Sequence, residues 1–144
     1  MRADDIVMIQ QLLGQYGHIV DAAEWERFDE LFVPDAELDY TLAGAEAVYH
    51  GLAEIRDFFR GVKHPSAHHC VNIYVWEEDG VTRVRSKFFV PYTREFHPQK
   101  RWKGGDYLDV VEQTPAGWRF RARTCIARWE LVPEAETDGG RRSW

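Results

Sequence analysis

The chain has 144 residues, a length that suits one compact domain with a core and a small pocket but leaves too little for two independent domains. Hydrophobic residues make up 44% and aromatics 14%, which excludes disorder throughout and supplies large rings for a core or a cavity wall. The net charge is −6, and residues 1–60 hold thirteen acids against four bases, so the basic face that phosphate neutralisation needs is missing and nucleic-acid binding is not expected.

From Asp4 to Ala23, the apolar residues Ile6, Ile9, Leu12, Leu13, Tyr16, Ile19 and Val20 recur at helical spacing and form one broad face. On that helix Asp21 lies about 140° from Tyr16, at the edge of the face. Gly14 and Gly17 remove bulk beside it, so a strand or ligand can come close. A second, short helix is predicted from Trp25 to Phe32, ended by Pro34. Ala36, Leu38, Tyr40 and Leu42 then alternate with polar residues, as in a half-buried strand. A brief strand through Tyr49 precedes a third helix over Leu52–Val62.

Beyond Pro65 the pattern changes to strands, roughly 66–77, 81–96, 100–113 and 118–131, with turns at Glu78-Asp79-Gly80 and Pro115-Ala116-Gly117. Helices before a run of long antiparallel strands indicate an α+β domain over residues 1–132, with three N-terminal helices on one face of a strongly curved mixed sheet that encloses a pocket. Residues 133–144 are polar and Gly-rich and read as a mobile tail.

In the strand after Ser66, His69 shares parity with Val71, Ile73 and Val75, which places it on the apolar side facing the cavity and His68 on the other side. Asp21 could hold such an imidazole and leave its second nitrogen free as a base, although on spacing alone a helix Asp followed by a strand His is more often structural. Val84, Ser86, Phe88, Val90 and Tyr92 share one parity in the next strand, so Tyr92 and Phe88, with Tyr40, are expected on the substrate side. Asp106, beside a turn, is expected to be an exposed acid. In the last strand Trp118, Phe120, Ala122, Thr124 and Ile126 are expected to face inward, and an arginine reaches the pocket only if a bulge inverts the register. Cys70 and Cys125 lie far apart in apolar segments and read as free thiols. No convincing metal-ligand spacing, phosphate-binding loop or nucleophile elbow is present, so no metal or cofactor is expected. The acidic start MRADDIVM does not resemble a signal peptide and no run approaches membrane-spanning length; the expectation is a cytoplasmic protein without membrane contact.

Together, Tyr16 and Asp21 on the first helix, the Trp25–Phe32 segment with Pro34-Asp35-Ala36, the His68-His69-Cys70-Val71-Asn72 strand and the Gly104-Gly105-Asp106-Tyr107 to Gly117-Trp118-Arg119-Phe120 ending resemble the SnoaL-like branch of the nuclear-transport-factor-2-like (NTF2-like, cystatin-like) superfamily. Within it the chain is most similar to the group containing scytalone dehydratase, bile-acid 7α-dehydratase and hexachlorocyclohexane dehydrochlorinase. The resemblance implies an Asp–His dyad in a conical pocket, matched by Asp21 and His69, that takes a proton from carbon, with Tyr16 beside the leaving group or carbonyl. The implied protein is a cofactor-independent dehydratase, isomerase or cyclase acting on a hydrophobic oxygenated ring compound such as a polyketide, steroid or terpenoid intermediate. Competing readings are a non-catalytic small-molecule-binding module and a subunit resembling the small subunit of ring-hydroxylating dioxygenases. The outer sheet face suggests a homodimer.

Overall fold

The computed structural model of the chain describes residues 1–63, 67–91 and 101–132. Tyr92 and the 133–144 segment lie outside the described residues. Helix α1 spans Ala3–Asp21; Asp4 and Asp5 sit in its first turn, where the helix dipole favours acids, and the Asp5 carboxylate accepts the Arg2 N–H. A 3-10 turn covers Trp25–Glu30. Strand β1, Phe32–Asp39, follows at once and carries Pro34 within it rather than after a helix. The ladder tolerates a residue with no N–H there because its register shifts between Phe32 and Glu37. Thr41–Ala43 forms a second 3-10 turn in place of the end of the expected strand. Then come β2 (Val48–His50), α2 (Gly51–Gly61), β3 (His69–Glu78), β4 (Val81–Pro91), β5 (Trp102–Thr114) and β6 (Gly117–Leu131).

Among the described residues, six strands form one sheet in the order β2-β1-β6-β5-β4-β3. Only the β1–β6 pair is parallel, which makes the sheet mixed. One face is covered by α1, α2 and the first 3-10 turn. The core there is Ile9, Leu13, Tyr16 and Ile19 of α1 against Phe28, Phe32, Phe59 and Phe120, all 1% exposed or less. Burying each such side chain stabilises the fold by about 1.5–3 kcal/mol before entropy is counted.

Three bulges decide what faces inward. In β3 the register slips by one residue between Val71 and Tyr74, where Asn72 has φ +52°. In β6 Phe120 opposes Val111 and Ala122 opposes Val110, so Arg121 is an extra residue. A second slip lies opposite the Gly104–Gly105 step, where Gly104 opposes Trp129 and Gly105 opposes Ala127. Each inserted residue inverts the alternation beyond it. The expected inward set of β6 therefore holds as far as Phe120 and then fails: Arg123 and Cys125 are buried instead.

Asp106 is likewise not the exposed acid expected from its neighbouring turn. It is 2% exposed, on the sheet face away from α1, and accepts bonds from Lys87 Nζ (2.5 Å) and Arg128 Nε (2.9 Å), with Arg85 at 3.6 Å. Burial pushes its carboxyl up, and these cations more than offset that, leaving it below the ordinary carboxylate value.

Two outcomes follow from this packing. A Cβ on Gly105 would stand 1.9 Å from the Ile126 carbonyl oxygen, whereas one on Gly104 would meet only the half-exposed Trp129 ring, at 2.1 Å. Gly105→Ala is expected to cost roughly 1–3 kcal/mol or more, and Gly104→Ala less because an indole can swing aside; urea denaturation of both variants checks the order. Because Asp106 binds its proton less tightly in the folded than in the unfolded chain, its contribution is complete above about pH 4 and fades as pH falls through the folded value. Asp106→Asn should flatten the acid limb of a stability-versus-pH curve, and an unchanged limb would contradict this.

Candidate active site

A cavity of about 500 Å³, within the range of small-molecule sites, opens between the helical layer and the sheet. Phe58 of α2 and Tyr40, between β1 and the second 3-10 turn, line it on one side, and Tyr49 of β2 with Phe88, Tyr107 and Cys125 line it from the sheet. His68, immediately before β3, also lines it, with a side chain only 8% exposed.

Asp21, the last residue of α1, holds this histidine. The His68 backbone N–H lies 3.1 Å from both carboxylate oxygens, and Nδ1 lies 2.6 Å from Oδ1. A carboxylate only accepts, so Nδ1 carries the proton and Nε2 is the nitrogen left with a lone pair in the neutral ring. Gly17 makes the approach possible: a Cβ there would stand 3.2 Å from the His68 carbonyl oxygen. The close approach expected beside the glycines is therefore real at Gly17, whereas Gly14 has nothing within 4 Å.

The expected pairing of Asp21 with His69 is corrected. His69 is exposed, donates Nδ1–H to the Ala67 carbonyl at 2.9 Å and stacks on Phe89 at 4.3 Å between ring centres. The cause is the bulge at Asn72: His68 and Cys70 lie on the inner side before it, and Val75, opposite buried Val84, lies on the inner side after it. Counting parity backward from Val75 through that bulge selects the wrong member of the His-His pair. The sequence did hold a signal, since asparagine is among the few residues that accept a positive φ.

Tyr16 does not line the cavity. It is fully buried and its hydroxyl lies 2.5 Å from that of Tyr40, which does. Tyr40 and Phe88 line the cavity, and Tyr107 joins them, stacked on Phe88 at 4.6 Å. Burial pushes the Tyr40 and Tyr107 phenols well above their ordinary range, so both remain protonated donors at neutral pH.

Behind these rings lies a charged pair whose arginine parity counting placed on the outside. Arg123 donates from Nε to Asp109 Oδ1 at 2.8 Å and from Nη2 to Oδ2 at 3.1 Å, with both side chains fully buried. Its guanidinium carbon sits 4.0 Å from the ring centres of both Tyr16 and Tyr107. Burial works against both charges: it pushes the Asp109 carboxyl up while Arg123 pulls it back, and Asp109 holds Arg123 protonated well above its usual range. The bidentate geometry marks the two as an ion pair.

Cys70 and Cys125 are free thiols. Burial pushes Cys125 up to about 12, which keeps it protonated and unsuited to nucleophilic work. Among the described residues no three His, Cys, Asp or Glu side chains converge in a way that could hold a metal ion, and no helix is long and apolar enough to cross a membrane.

The sequence pattern of the SnoaL-like domain matches residues 1–124. An uncharacterized protein of Mycobacterium tuberculosis is 30% identical over 121 residues, covering 83% of this chain and 82% of the relative. A candidate scytalone dehydratase of Novosphingobium aromaticivorans superposes with a TM-score of 0.75 at 19% identity over 91% of this chain and 89% of the other. An NTF2-like protein with a cystatin-like fold from the same organism does so with a TM-score of 0.67 at 23% identity over 93% of this chain and 85% of the other. With the helical layer, the mixed sheet and the cavity already in place, the match over residues 1–124 makes the chain a member of the SnoaL-like domain family, and the solved structures share its NTF2-like, cystatin-like fold.

Proposed function

We propose that the protein is a cofactor-independent lyase or isomerase in which His68, oriented by Asp21, removes a proton from carbon of a hydrophobic, oxygenated ring substrate. The observation that carries this reading is the 2.6 Å contact between Nδ1 and Oδ1 on an imidazole that lines the cavity. Nε2 receives the proton, and Asp21 stabilises the imidazolium that forms. The electron pair left on carbon moves onto the adjacent carbonyl oxygen, and Tyr40 is the donor suited to that oxygen. With Tyr16 donating to the Tyr40 oxygen, the Tyr40 proton is free to point at the developing negative charge. From this enolate, loss of a leaving group at the next carbon gives elimination, with the imidazolium returning its proton to the departing oxygen. Return of the proton to a different carbon gives isomerisation. The family match and the likeness to a candidate scytalone dehydratase agree with this class of chemistry. Tyr92, outside the described residues, keeps its place as an additional substrate contact within the proposal.

The test is hydrogen–deuterium exchange at the α-carbon of a cyclic ketone such as 2-tetralone, followed by NMR in D2O. Removing a positioned acid–base group lowers rates about 10²–10⁴-fold, and His68→Gln and Asp21→Asn should both fall in that range while His69→Gln leaves the rate unchanged. Tyr40→Phe should cost about 10²-fold, as loss of one oxyanion donor does. A pure binding module would show no exchange above buffer in any form, and equal rates with and without the His68 imidazole would remove the proposed base.

A further inference from the structure

The sheet face turned away from α1 is patterned in columns. Through the pairings of β3, β4, β5 and β6, its outward residues form rows that run Val71, Lys87, Asp106, Ile126 and then Tyr74, Arg85, Leu108, Thr124. Down the strands, β4 is a column of cations, Arg83, Arg85 and Lys87. On one side of it β3 carries Val71, Tyr74 and Trp76; on the other, β5 and β6 carry Leu108, Ile126 and Trp129. The cations have partners within the chain: Arg83 lies 2.9 Å from Glu78, and Arg85 and Lys87 share the Asp106 carboxylate with Arg128. The apolar columns stay open to solvent, with Val71, Tyr74, Leu108 and Trp129 between 39% and 66% exposed. A solvated face of an antiparallel sheet is normally polar, and large apolar side chains gathered on one mark a contact surface. Tyr74 and Trp76 are stacked at 5.5 Å, which makes that side of the face a preformed platform.

We propose that this face binds a second copy of the chain, sheet against sheet, about a two-fold axis that runs along β5 through Leu108. Charge complementarity selects both the partner and the axis. A two-fold laid across the strands would set each copy's β4 on the other's β4, with Arg85 and Lys87 against the same two cations, and like charges placed face to face are strongly unfavourable. A two-fold along β5 sets β4 on β6 instead. Arg85 then meets the other copy's Thr124, Lys87 meets its Ile126, and the nearby Trp129 ring offers its face to a cation. Leu108, on the axis, meets its own copy. An isologous contact needs a surface complementary to itself, and a cation column set one strand away from apolar columns on either side meets that requirement. The four strands, each at least ten residues long, present about 600 Å² in projection, the scale of a standard interface at about 800 Å² per partner. The cavity opens on the opposite face of the sheet, so the inference stands apart from the proposed chemistry.

Size exclusion with light scattering on the full chain at micromolar concentration should give twice the chain mass. Leu108→Arg brings a cation onto the axis against its own copy and should raise the dissociation constant about 30-fold or more, as loss of a central anchor does. Circular dichroism checks that this variant keeps its fold, as expected at a position already 39% exposed. Thr124→Lys and Thr124→Glu separate the two axes. The lysine meets the other copy's Arg85 and should weaken the dimer about tenfold, while the glutamate should leave it intact or tighter. Should Leu108→Arg fail to fold, the two Thr124 variants carry the comparison. A monomeric wild type, a dimer indifferent to Leu108→Arg, or an equal loss with lysine and glutamate at position 124 overturns the inference. A monomer that takes up nucleic acid or an unrelated protein on this face overturns it as well.

Discussion

The grip of Asp21 on His68 is the contact from which the geometry of the cavity follows. A carboxylate at the C-terminal end of a helix sits at the negative pole of the dipole, which costs about 0.3–1 kcal/mol if nothing compensates. Here it receives the backbone N–H and the ring N–H of one residue, and charge-assisted bonds of this kind contribute about 1.5–3 kcal/mol each. The two bonds fix both the position of the chain entering β3 and the angle of the imidazole. Gly17 lets the backbone of His68 approach α1, so helix and strand close on the same residue. Because β3 is the edge of the described sheet, this attachment does for it what a neighbouring strand does elsewhere.

Arg123 and Asp109 form the second constraint. Ions taken out of water cost several kcal/mol each, and only the bidentate geometry together with the tyrosine faces makes the pair tolerable. Removing one partner alone would leave an uncompensated buried charge, a loss of roughly 3–5 kcal/mol. Since Asp109 neutralises the guanidinium, the pair acts as a rigid support beneath Tyr107 and Tyr16 more than as a source of field. Tyr16 in turn holds the Tyr40 hydroxyl, so the order of the cavity wall is inherited from buried charges that never touch it.

Most of the fold was legible because periodicity survives in a single sequence. The apolar face of α1 and the close approach at Gly17, the long strands and both hairpin turns followed from spacing and turn chemistry, and the four long strands begin within a few residues of where they were expected. The misreadings cluster where one residue is inserted into a ladder. Asn72 exchanged His69 for His68, Arg121 turned Arg123 and Cys125 inward, and the Gly104–Gly105 step accompanies a buried Asp106 where a turn-side exposed acid was expected. A period-two count has no means of registering an insertion, since the residue types on either side of a bulge remain compatible with both registers. Pro34 inside β1 failed for the same reason: a shifted ladder leaves no N–H for it to withhold.

The sequence by itself determined that an α+β fold forms, that the end of its first helix presents a carboxylate, and that a pair of histidines opens the first long strand. Those outcomes depend on local spacing and on apolar area, which are written in residue order. Only the tertiary structure decided which histidine turns toward the carboxylate, that Tyr40 rather than Tyr16 meets the cavity, and that an arginine lies beneath it. Each of those depends on strand register, and register is set by the fit of several chain segments at once, through bulges whose direction no single segment contains.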